Sequence, residues 1–83
     1  MIQAALAGEQ LDAAAQWQFE GWIKQHLTHA AFMRRLHDAE LLSDEEFEIE
    51  LGDLRGYAEN ERVREVLERL LVREDSFRDL ILR

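Results

Sequence analysis

The sequence predicts an all-α protein, folded as one compact bundle of three to four helices, on three observations. Its 83 residues contain no proline, the residue that most strongly interrupts a helix. Apolar side chains recur at steps of three and four, the spacing of one helix face. The tetrad Ser43-Asp44-Glu45-Glu46 has the pattern of a helix N-terminus, where a hydroxyl and a carboxylate three residues on satisfy amides that lack a partner within the helix. The length allows one domain, and no linker-like stretch or internal repeat divides it. An apolar fraction of 47%, with aromatic residues spread along the chain, implies a packed core.

Residues 1–8 precede any clear periodicity and are expected to be loosely held. A long helical region follows over 9–42, where Phe19, Trp22, Ile23, His26, Leu27, Ala30, Met33 and His37 form one stripe. Gly21 lies inside it, costs about 1 kcal/mol against alanine, and marks a candidate kink or break. Ser43 then caps a helix over 44–54. Leu42 and Phe47 take the staple positions around the cap, and the acids at 44–46 suit the positive end of the helix dipole.

Phe47-Glu48-Ile49-Glu50-Leu51 also alternates with the period of a strand. A lone strand has nothing to pair with, so helix is preferred. Gly52 and Gly56 bracket an expected turn. Asn60 caps the next helix, whose apolar face is Val63, Val66, Leu67, Leu70 and Leu71. Glu65–Arg69 and Glu74–Arg78 are spaced as favourable i,i+4 pairs. Asp75-Ser76 either opens a last short helix carrying Phe77, Leu80 and Ile81, with Ser76 as its cap, or the preceding helix continues through it. The expected core is Trp22, Ile23, Leu27, Met33, Leu36, Phe47, Leu51, Leu54, Leu67, Leu70 and Phe77.

The net charge of −8 has a single source. Residues 1–35 hold three acids and three bases, and residues 55–83 hold seven of each. Residues 36–54 hold eight acids (Asp38, Glu40, Asp44, Glu45, Glu46, Glu48, Glu50, Asp53) and no lysine or arginine. A field focused in this way attracts basic partners and repels nucleic-acid backbones and anionic membranes. Direct nucleic-acid binding is disfavoured as well because Arg34-Arg35 is the only basic doublet, whereas a phosphate-binding surface needs a basic stripe.

Catalytic and metal chemistry find little footing. There is no cysteine, the two serines read as helix caps, and the four glycines are too scattered for a phosphate-binding loop. Thr28 lies mid-helix, where a hydroxyl bonds its own backbone. His26, His29 and His37 sit at helical spacings from which imidazoles can converge on Zn²⁺ or Cu²⁺. The His-Glu-x-x-His and di-metal bundle patterns that would make this specific are absent. The acidic run fails the calcium-loop pattern, because Ile49 stands where the central glycine belongs.

Glu50-Leu51-Gly52-Asp53 gives one Glu-x-x-Asp pair, as in some helical nucleotide pyrophosphatases, but the upstream Glu-x-x-Glu helix is missing. Asp75-Ser76 before a helix is similar to the phosphopantetheine site of an acyl carrier protein. There the serine lies mid-domain, whereas only seven residues follow Ser76, so the resemblance fails.

The expectation is therefore a small acidic binding protein, without enzymatic activity or cofactor. It would engage a basic protein surface, of the kind that holds nucleic acid, through residues 38–53. The contact residues would be Asp38, Glu40, Asp44, Glu45, Glu48, Glu50 and Asp53, with Glu46 partly committed to the cap. The alternative is a structural subunit or homodimer assembled through a heptad-like stripe of Val63, Val66, Leu70, Phe77 and Leu80. A third reading is a metal-binding protein built on the histidines. No apolar run is long enough to span a membrane, no signal-peptide or lipidation pattern is present, and a cytoplasmic location is expected.

Overall fold

The structure, a computed structural model, describes residues 2–82, apart from the side chains of Ile2 and Ala4. The described residues form helices α1 (Ile2–Leu6), α2 (Ala13–Asp38), α3 (Asp44–Tyr57), α4 (Glu61–Leu70) and α5 (Asp75–Ile81), with no strand among them. The chain is thus all-α: four principal helices and the single short turn of α1. At about 1.5 Å per residue the 26 residues of α2 span most of the 42 Å long axis of the molecule. The other helices pack along it: α3 along its C-terminal half, α4 against α2 and α1, and α5 against α3. No helix among the described residues is long and apolar enough to cross a membrane.

Three side-chain caps fix where helices begin. Asp12 Oδ1 accepts the Ala15 amide at 2.7 Å, so α2 starts at Ala13. Ser43 Oγ accepts the Glu46 amide at 3.1 Å and donates to the Glu46 carboxylate at 2.9 Å. Asn60 Oδ1 accepts the amides of Arg62 and Val63 at 3.0 and 3.3 Å. Each cap satisfies an orphan donor.

The end of α2 is closed by a Schellman motif. Leu41 N donates to Leu36 O at 2.8 Å and Glu40 N to His37 O at 3.0 Å. Glu40 takes the left-handed conformation at φ 62° that this motif demands, a position where glycine is the usual residue.

The core gathers Phe19, Ile23 and Ala30 of α2, Phe47, Leu51 and Leu54 of α3 with Ala58 at its C-cap, Val63, Val66 and Leu67 of α4, Leu71, Phe77 and Ile81, with Ala5 from α1. Of the expected core, Trp22, Leu27, Met33 and Leu70 are half-buried against this cluster. Leu36 is half-exposed and lies outside the cluster, off the line through Phe19, Ile23 and Ala30.

Several sequence expectations are corrected. Gly21 does not break α2, which runs unbroken through it. Gly52 and Gly56 lie inside α3 and do not bracket a turn. Burial of Leu51, Leu54 and Ala58 along that helix outweighs two penalties of about 1 kcal/mol each. The turn falls at 58–60, where Asn60 begins the next cap.

Ser76 is not a cap either. α5 starts after Glu74 without a side-chain cap bond, and the Ser76 hydroxyl accepts from Arg34 Nη2 at 3.0 Å. The Glu65–Arg69 and Glu74–Arg78 pairs give way to longer-range ones, Arg69 with Glu20 and Arg78 with Glu68.

The proposed heptad seam is interrupted as well. A turn at 71–74 separates α4 from α5, and Val63, Val66 and Phe77 are buried in the core of the single chain, with Leu70 and Leu80 half-buried. In this fold the stripe faces its own bundle. Finally, residues 2–6, expected to be loosely held, form a helix tied to α4. Asn60 Nδ2 donates to Leu6 O at 2.7 Å, and Arg62 Nη1 donates to Ala5 O at 3.2 Å and to Glu9 O at 2.6 Å.

Candidate functional site

All eight acids of the charged segment are solvent-exposed. Asp38 ends α2, Glu40 occupies the turn, and the other six lie on α3. Since successive residues turn about 100° around a helix, the α3 acids divide around the buried line of Phe47, Leu51 and Leu54. Asp44 and Glu48 occupy one flank together with Arg55. Glu46, Glu50 and Asp53 follow each other at i, i+4 and i+7 along the other flank. Glu45 faces outward between the flanks, beside Ile49, which is 66% exposed. The anionic feature is therefore a broad face with two rows and an apolar residue at its centre.

The two rows differ in compensation. In the first, Arg55 Nη1 donates to Glu48 at 2.5 Å, and His37 Nε2 meets Asp44 Oδ1 at 2.5 Å. The same arginine ties α3 to α5 through Nε, which donates to Leu80 O at 2.8 Å. Its Nη2 is buried without a partner among the described residues. In the second row Glu46 accepts the Ser43 hydroxyl, Glu50 meets His29 Nε2 at 3.2 Å, and no lysine or arginine bridges Glu46, Glu50 or Asp53 among the described residues. Four other arginines are engaged elsewhere. Arg34 donates to Ser76 and lies over the Phe77 ring. Arg62 holds α1, Arg64 pairs with Glu68, and Arg69 with Glu20.

The three histidines go to three different surroundings. His26 packs against the rings of Trp22 and Tyr57, with centroids 4.9 and 5.4 Å away. His29 turns to Glu50 and His37 to Asp44. Among the described residues no three histidine, aspartate or glutamate side chains converge as a metal cage. The His37 ring stacks on Phe47 at 4.5 Å and 16°. Its hydrogen bond to Asp44 raises its pKa above the ordinary 6.5, partial desolvation opposes this, and the nearby charges of Asp44 and Asp38 add to the rise. The C-terminal end of the α2 dipole favours the protonated ring in the same sense.

Sequence reasoning placed the eight acids but not their pairing. It also missed Ile49 as an exposed apolar residue and Arg55 as a counter-ion, although Arg55 lies seven residues, two helical turns, after Glu48. Trp17 and Phe32 are further exposed apolar residues, 78% and 52% accessible, on the side of α2 away from the core. No protein-family model, curated protein or solved structure matches the chain.

Proposed function

We propose that the protein is a small, non-enzymatic binding module whose acidic segment, residues 38–53, engages a basic surface on another protein, of the kind that otherwise holds nucleic acid. One observation carries this reading. The row Glu46, Glu50 and Asp53 and the outward Glu45 are exposed and unbridged by any lysine or arginine among the described residues. Arg62, Arg64, Arg69 and Arg78 are held by carbonyls and by acids outside the row.

The contact set is narrower than composition suggested. Glu45, Glu50 and Asp53 would meet the partner around Ile49, with Asp38 and Glu40 adding long-range steering. Glu48 is bridged by Arg55, and Asp44 meets His37 at 2.5 Å, closer than the 3.2 Å between Glu50 and His29. An apolar residue ringed by charge suits an interface that combines steering with a small dry contact.

The test is affinity capture from the source cell on two baits, the wild-type chain and a Glu50→Lys/Asp53→Lys variant, at about 0.1 M and about 1 M salt. Screening shortens the Debye length from about 10 to about 3 Å over that range. A basic protein held by wild type at low salt, released at high salt and absent from the variant bait supports the reading. Identical captures on both baits refute it.

A further inference from the structure

All three histidines of the chain lie on α2, and two of them meet carboxylates of α3 across the seam between the helices. His29 Nε2 is 3.2 Å from Glu50 Oε2, and His37 Nε2 is 2.5 Å from Asp44 Oδ1. The two histidines are eight residues apart, a little over two helical turns, so the contacts hold α3 at two separate levels. We propose that the end of this seam at His37 is a proton-operated latch: protonation of His37 closes an imidazolium–carboxylate bridge to Asp44 between α2 and α3, and deprotonation loosens it. The inference is independent of any partner.

Every charged neighbour of the latch can be named. His37 faces Asp44 from α3 and Asp38 from its own helix, with Nδ1 3.7 Å from the latter, and its ring plane is fixed on Phe47. His29 faces Glu50 and shares a shallow groove with Arg35 and another with His26. His26 packs on Tyr57 and Trp22 with no carboxylate against it. The α4–α2 ion pair, Arg69 with Glu20, and the α5–α2 contact, Ser76 with Arg34, lie on other parts of α2. Acids therefore dominate the surroundings of His37, and a neutral imidazole supplies at most one weak hydrogen bond where an imidazolium supplies a charge-assisted one.

Linkage sets the sign. The His37 pKa is raised in the fold, so its stabilisation is fully present below the ordinary value of 6.5 and is lost as pH rises through the folded value.

The experiment compares thermal melts of wild type and His37→Gln from about pH 5.5 to about pH 8.5, a range that brackets imidazole titration. The His37→Gln variant is expected to melt below wild type at the acidic end, with the gap shrinking to a pH-independent remainder at the alkaline end. A gap that is constant across the range overturns the latch. Asp44 is 95% exposed, so Asp44→Asn gives a second readout in a chain that keeps its core. The His37 imidazole, followed by NMR, should titrate closer to 6.5 in Asp44→Asn than in wild type, and an unchanged titration overturns the proposal.

Discussion

Asn60 joins two helices with one side chain, and replacing it separates two effects. Its Oδ1 caps α4 through the amides of Arg62 and Val63, while its Nδ2 donates to the C-terminal carbonyl of Leu6 on α1, 54 positions away in sequence. Loss of an asparagine cap costs about 1 kcal/mol, and loss of one part-buried hydrogen bond about another 1 kcal/mol. Asn60→Ala should therefore cost about 2 kcal/mol, which lowers the melting temperature of a domain this size by roughly 10 °C.

Asn60→Asp keeps an acceptor for the cap but removes the donor and sets a carboxylate against the Leu6 carbonyl. It should cost about 1 kcal/mol, concentrated in α1. Urea denaturation followed by circular dichroism gives the total. Hydrogen exchange at Ala7 and Gly8, whose amides donate to Gln3 O and Ala5 O, reports α1 directly. Exchange there should rise in both variants while the core of α3 changes little in Asn60→Asp. Wild-type protection of Ala7 and Gly8 in Asn60→Asp would refute the tether.

Two substitutions should stabilise the protein. Glu40 holds a left-handed backbone conformation at φ 62°, which costs an L-residue about 1 kcal/mol or more. Glu40→Gly relieves it, and a gain of about 1 kcal/mol is expected in chemical denaturation. Gly21 lies within α2, and a Cβ added there meets nothing within 4 Å. Gly21→Ala should add about 1 kcal/mol, read as a shift of the urea midpoint with an unchanged slope.

The Ser43 and Asn60 caps were legible because each is a contract between residues two or three positions apart, and the structure keeps both. The same holds for the buried line Phe47, Leu51 and Leu54, whose spacing fixes a helix face before any partner is present. Charge segregation is a property of composition, so the acidic segment could be located without a fold.

Pairing was another matter. Arg62 reaches across more than fifty positions to hold α1, and Arg69 leaves its neighbour Glu65 for Glu20 on α2. Gly52 and Gly56 looked like a turn by local preference, yet packing of α3 against α2 and α5 carries the helix through both. Likewise, the stripe from Val63 to Leu80 has the spacing of an interface, and only the turn at 71–74 folds it back on its own bundle.

Local hydrogen bonds and periodicity are set by residues close along the chain, so the sequence alone determined the helical class, the Ser43 and Asn60 caps and the site of the negative charge. Which acids were left uncompensated, which histidines faced them and which apolar residues stayed exposed depended on contacts between distant segments. Those contacts exist only once the helices have packed.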